Sequence, residues 1–121
     1  MPFDWQSYLD LAGALTKGSD EARFRSAVSR AYYFAYHEAK PIAERSPAYQ
    51  PPTQGAFRSH QVVWDALAAD ADQKLREAGE EGRELCRLRH RADYVASQRV
   101  SASDAFAAIE RAKLIAKDLR P

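Results

Sequence analysis

The sequence predicts an all-α fold, a bundle of four main helices with one short additional helix. Three observations carry this reading. Apolar residues recur at spacings of three and four through almost the whole chain. No stretch alternates apolar and polar residues with the β-branched enrichment that a strand needs. Capping residues and one proline-rich loop divide the pattern into separate helices.

The elements follow in order. Trp5, Tyr8, Leu9, Ala12 and Leu15 form one stripe of a short first helix. Gly18 closes it, and Ser19 or Asp20 can cap the next. The second helix is long, roughly residues 20 to 45, with Phe24, Val28, Ala31, Ala35, Ala39 and Ile42 on one stripe. Pro41 is expected to kink it near its end. Three prolines and a glycine make residues 46–56 the one clear loop. A third helix carries Phe57, His60, Trp64 and Leu67 on one face. The polar stretch from Asp70 to Gly82, anchored by Leu75, reads as a short helix or a turn-rich connection. A fourth helix, roughly residues 83 to 97, uses Leu85, Leu88, Ala92 and Val95. Ser101 and Asp104 resemble a capping box, with Asp in place of the usual Glu. The last helix presents Ala105, Ala108, Ile109, Ala112, Ile115, Ala116 and Leu119. Small residues on the second and last helices let their axes approach closely.

Composition bounds the function. The chain has 121 residues, 45% hydrophobic and 29% charged, which fits one folded domain spanning 1–121. The formal net charge is +1, so any nucleic-acid binding must come from a local patch. Cys86 is the only cysteine, which excludes a disulfide within the chain. No apolar run approaches a membrane span, and the first residues lack the pattern of a signal peptide. A cytoplasmic protein with no membrane association is expected. No phosphate-binding Gly-rich loop and no metal-ligand spacing occur, so no metal and no cofactor are expected.

Three stretches carry a family resemblance. Phe24-Arg25-Ser26-Ala27-Val28-Ser29-Arg30-Ala31-Tyr32-Tyr33-Phe34-Ala35-Tyr36-His37-Glu38-Ala39 is similar to the "SRAYYAxFHAA" helix of short HEPN proteins. Ser59-His60-Gln61-Val62-Val63 resembles the Ser-His that opens the family's third helix. Leu88-Arg89-His90-Arg91-Ala92-Asp93-Tyr94 looks like its "LRxxADY" helix. The resemblance implies a HEPN-like up-down bundle that often dimerises. It implies a place in toxin–antitoxin, defence or RNA-processing systems, often beside a nucleotidyltransferase acting as antitoxin. Many members are metal-independent endoribonucleases whose Arg precedes a His by four to six residues. Here Arg89 is followed by Asp93 and Tyr94, with no His at that spacing. An Arg-x6-His spacing occurs instead on the second helix, at Arg30 and His37.

Metal-free RNA cleavage needs a base for the ribose 2′-OH, a cation for the phosphate and an acid for the leaving oxygen. On this reading Arg89 binds phosphate, His37 or His60 handles protons and Tyr94 positions substrate. Arg30, Tyr33 and His37 share one face of the second helix, and Arg30 and Tyr33 are candidates to bind nucleic acid. Arg83, Arg87, Arg91 and Arg99, with Arg89 and His90, form a basic run offset only by Glu84 and Asp93. Of these, Arg83, Arg87 and Arg91 are the candidate RNA contacts. The competing readings are structural. Arg89 and Asp93 stand four apart and form an ion pair that fixes register, His60 is a hydrogen-bonded core residue, and the arginines are a solvated face. Tyr32, Tyr33, Phe34 and Tyr36 make the second helix aromatic on several sides, which favours a homodimer through the second and fourth helices. The rival function is a non-catalytic adaptor or nucleotide-binding module that docks a partner such as a nucleotidyltransferase.

Overall fold

Ala27, Ala31, Ala35, Ala39 and Ala43 stand four apart, and all five are fully buried. They form the spine of the central helix. The computed structural model describes residues 2–52 and 59–121. Among the described residues the helices are α1 (Gln6–Leu15), α2 (Glu21–Glu44), α3 (Ser59–Ala68), α4 (Gln73–Tyr94) and α5 (Ala102–Leu119), with no strand. The fold is an all-α helical bundle.

α2 touches every other helix. Its alanine ladder meets α5, which contributes buried Ala105, Ala108 and Ala112. Small side chains on both sides remove the bulk that keeps helix axes apart. The bulky core members, Tyr32, Trp64, Leu67, Leu85 and Ile115, come from α2, α3, α4 and α5. Tyr32, Phe34 and Tyr36 are buried by the chain's own helices. Three of the four aromatic rings of this stretch are therefore covered within the protomer, and Tyr33 is half-buried. Pro41 sits exposed in the last turn of α2, which runs on to Glu44. Only the backbone bond to the His37 carbonyl is forfeited there, so the helix continues.

The helix starts follow side-chain chemistry. Asp20, rather than Ser19, caps α2 and accepts the Arg23 N–H at 2.9 Å. Asp72 caps α4 through the N–H groups of Lys74 (2.8 Å) and Leu75 (3.3 Å). Ser101 and Asp104 form a reciprocal capping box at the start of α5. Ser101→Ala should cost about 1 kcal/mol, read as an earlier midpoint in urea, because one N–H of the first turn loses its acceptor. At the other end of this connection, Arg25 reaches from α2 and donates to the carbonyls of Arg91 (3.2 Å), Ala92 (2.9 Å), Val95 (3.2 Å) and Gln98. It satisfies the orphan carbonyls where α4 ends. Glu21 holds Arg25 at 2.8 Å and accepts the Val100 N–H at 3.2 Å.

The stretch from Asp70 to Gly82 differs from expectation. It is neither a short helix nor a turn-rich connection. Residues from Gln73 onward join the expected fourth helix in one 22-residue element that ends at Tyr94 rather than near residue 97. Gly79 and Gly82, weak helix formers by propensity, are both buried in its interior. A Cβ on Gly79 would lie 2.8 Å from both Ala68 Cα and Leu67 C of α3. A Cβ on Gly82 would overlap the Trp64 ring. These glycines are contact points that seat α3 against α4. Phe57, expected on the α3 face, lies outside the described residues, as does the last part of the expected loop.

Candidate functional site

Because α3 seats so closely on α4, the polar edges of the two helices form a cleft of about 470 Å³. His60, Gln61, Trp64 and Asp65 line it from α3, at the three-and-four spacing of one helix face. Arg83, Cys86, Arg87, Arg89 and His90 line it from α4.

Arg89 is the least compensated charge among them. Its side chain is only 12% exposed, and its carboxylate partner, Asp93, stands at 3.8 Å. Asp93 is shared, accepting the Ser29 hydroxyl at 3.2 Å. The guanidinium is held chiefly by ring faces, with its Cζ at 5.1 Å from the Tyr32 centroid, 5.7 Å from Tyr33 and 5.9 Å from Tyr94. Its Nε is buried with no acceptor among the described residues. A guanidinium packed on rings keeps its planar fork oriented while its charge stays available to an anion. The neighbouring arginines differ. Arg83 is tied to Asp65 across the cleft at 2.7 Å, and Arg87 to Glu84.

His60 sits at the end of a buried polar chain. The Trp64 indole N–H donates to the Tyr32 hydroxyl at 3.0 Å, and that oxygen lies 2.7 Å from His60 Nδ1. Tyr36 stacks on the other side, its ring centroid 4.3 Å from that of His60. Burial drives the Tyr32 hydroxyl far above the usual phenol range, so it stays protonated. Burial, then the charge of Arg89, lowers His60 to about 4, so its imidazole is neutral at pH 7.

This depression has a stability consequence. Between pH 4 and 6.5 the unfolded chain takes a proton at His60 that the folded chain refuses. Stability is therefore flat above this window and falls as the pH drops through it. With allowance for solvent screening of a partly exposed ring, the loss from pH 7 to pH 5 should be about 1 kcal/mol. Glu21, Glu84 and Asp104 are held below their ordinary values, chiefly by hydrogen bonds that favour the carboxylate. Urea midpoints at the two pH values should converge in His60→Gln. A residual slope of the same sign is shared by His37, which burial and then Lys40 also depress, and by the depressed carboxylates of Glu21, Glu84 and Asp104.

The other candidates disperse around this cleft. Tyr33 is the common neighbour of Arg89, of His60 (5.7 Å between ring centroids) and of His37 (6.4 Å). His37 stacks flat on Trp5 at 3.4 Å and is not among the residues lining the cleft. Arg30 lies over Tyr8 at 4.8 Å, on the α1 side of Tyr33. Tyr94 is 68% exposed beyond Arg89, beside His90 at 5.1 Å. Arg91 turns away from the cleft and pairs with Asp104 of α5 at 2.9 Å. Sequence reasoning passed over Tyr32 as a site residue, although it links Trp64, His60 and Arg89. The His60–Trp64 spacing of four was the available signal that an α3 face converges on one partner. Cys86 is half-buried against the core and also lines the cleft. No group of residues able to hold a metal ion occurs among the described residues. Comparison with known protein families, curated proteins and solved structures gave no match.

Proposed function

We propose that this chain is a HEPN-like toxin or defence component that binds RNA in the α3–α4 cleft and cleaves it without a metal. One observation supports the reading above all. Arg89, under-compensated and clamped on tyrosine rings, shares a cleft with a neutral histidine that a buried Tyr32–Trp64 chain orients. The histidine missing four to six residues after Arg89 is then supplied by His60 from another helix. In the reaction the Arg89 fork binds two oxygens of the scissile phosphate. The ribose 2′-oxygen attacks phosphorus, the bond to the 5′-oxygen breaks, and a 2′,3′-cyclic phosphate forms. His60 Nε2 takes the 2′-OH proton, and the leaving 5′-oxygen takes one from solvent. This requires Nδ1–H to donate to the Tyr32 oxygen, which leaves the lone pair on Nε2.

The opposite tautomer favours a second reading. If the Tyr32 hydroxyl donates to Nδ1, Nε2 carries hydrogen and serves only to hold an anion. His60 then has no role as a base, and the cleft belongs to a non-catalytic adaptor or nucleotide-binding module that docks a partner such as a nucleotidyltransferase. Two measurements decide. Purified protein incubated with labelled RNA in chelator should produce cyclic-phosphate ends. Nitrogen chemical shifts of His60 should report the Nδ1–H tautomer. Intact RNA together with the Nε2–H tautomer leaves the binding module as the function.

A further inference from the structure

We propose that the aromatic cluster formed by the N-terminal segment, α1 and α2 is a second subsite, which takes a base and an adjoining phosphate of a single-stranded nucleic acid. The proposal builds on the RNA reading of the cleft, to which Tyr33 joins this cluster.

Phe3 meets Trp5 at 4.8 Å and Tyr8 at 5.6 Å, both edge to face, and remains 56% exposed. Trp5 is pinned by its flat stack on His37, so the cluster is anchored to α2. Anchoring α1 requires Trp5 and Tyr8 to be covered. It does not require a large aromatic ring left mostly in water beside them. An aromatic ring that is held in place and exposed offers a base-stacking surface.

The cation is already in position. Arg30 lies 4.8 Å over the Tyr8 ring and 6.0 Å from the Tyr33 centroid. Arg23, Arg25, Arg83, Arg87, Arg89, Arg91 and Arg111 each pair with a carboxylate, whereas Arg30, like Arg45, Arg76, Arg99 and Arg120, has none within ion-pair distance among the described residues, and of these unpaired arginines Arg30 is the one that lies over an aromatic ring. Asp4, the acid nearest in sequence to Phe3, is engaged as the acceptor of the Gln6 N–H at 3.0 Å. A guanidinium held over a ring rather than by a carboxylate keeps N–H donors for phosphate oxygens. Tyr33 then leads to the second guanidinium, Arg89, with its Cζ 5.7 Å from the ring. Ring, cation, ring and cation follow one another from exposed Phe3 through half-buried Arg30 and Tyr33 to Arg89 in the cleft, an order that fits a strand with alternating bases and phosphates. A duplex keeps its base faces stacked inside and offers nothing to Phe3, so the ligand is single-stranded.

The test uses a short 5′-fluorescein strand with 2′-O-methyl sugars, which cannot be cleaved, and reads anisotropy. Phe3→Ala and Phe3→Leu should each weaken binding about tenfold, because the ring face is lost in both, while Phe3→Tyr binds as the parent does. Arg30→Ala should weaken binding and flatten its salt dependence by about one ion, and Arg30→Lys should restore the slope. Binding of the matching duplex should not change in Phe3→Ala. Tighter binding of the 2′-O-methyl strand than of its deoxy counterpart assigns the subsite to RNA, and equal binding assigns it to single strands in general. The proposal is overturned if Phe3→Ala and Arg30→Ala bind like the parent, or if Phe3→Ala weakens strand and duplex equally. Binding of this kind in a protein that leaves RNA intact removes the nuclease reading and keeps the subsite. Cleavage with neither variant impaired does the reverse.

Discussion

Gly82→Ala should destabilise the bundle by about 3 kcal/mol, although alanine is the better helix former by about 1 kcal/mol in an exposed helix. The added methyl would fall on the six-membered ring of Trp64. That ring cannot step aside. It is 1% exposed, and its indole N–H is committed to the Tyr32 hydroxyl at 3.0 Å. Relief requires α3 and α4 to separate, which opens a core that contains Leu67 and Leu85. The same separation pulls His60 away from Arg89, so ligand binding in the cleft should weaken along with stability. Gly13→Ala is the control, since nothing lies within 4 Å of a Cβ there. It should be neutral or slightly stabilising. Urea denaturation of both variants measures the contrast, and equal midpoints would show that α3 does not seat on Gly82.

On the proposed nuclease reading, Arg89→Ala should reduce metal-free RNA cleavage by about a thousandfold, the upper range for loss of one preorganised charge donor. Among the described residues the guanidinium is the only cation in the cleft lying over three tyrosine rings, and its nearest carboxylate stands at a loose 3.8 Å. Arg83→Ala should cost far less, because that charge is already compensated by Asp65 at 2.7 Å. Arg89→Lys should recover only part of the activity, since an ammonium keeps the charge but lacks the planar fork. Arg89 also packs on the core, so some stability is lost with it. The ranking of the three variants at matched folded fraction, checked by circular dichroism, therefore carries the result. Full activity in Arg89→Ala would remove this residue from the mechanism.

The fold was legible where a rule is local. Helical spacing marked all five elements, and the caps at Asp20 and Ser101 follow from side chains that bond to N–H groups a few residues away. The alanine ladder of α2 and the small residues of α5 announced a close approach before any partner was visible. The start of α4 was not legible, because the stretch that holds Gly79 and Gly82 is polar and has one main apolar anchor, Leu75. Propensity counts both glycines as weak helix formers, whereas their value lies in what α3 places against them. The basic run of α4 misled in another way. Its apparent excess of charge is offset by Asp65 and Asp104, which stand far away in sequence and near in space.

By itself the sequence determined the helices, most of their ends and the set of residues with useful chemistry, because these depend on periods and bonds within a few positions. Which of those residues meet was decided by the tertiary structure. His60 and Arg89 share a cleft, Arg91 points elsewhere, and His37 stacks on Trp5 rather than lining that cleft. Such pairings depend on how closely helices pack, and here two glycines with no side chain set that closeness between α3 and α4.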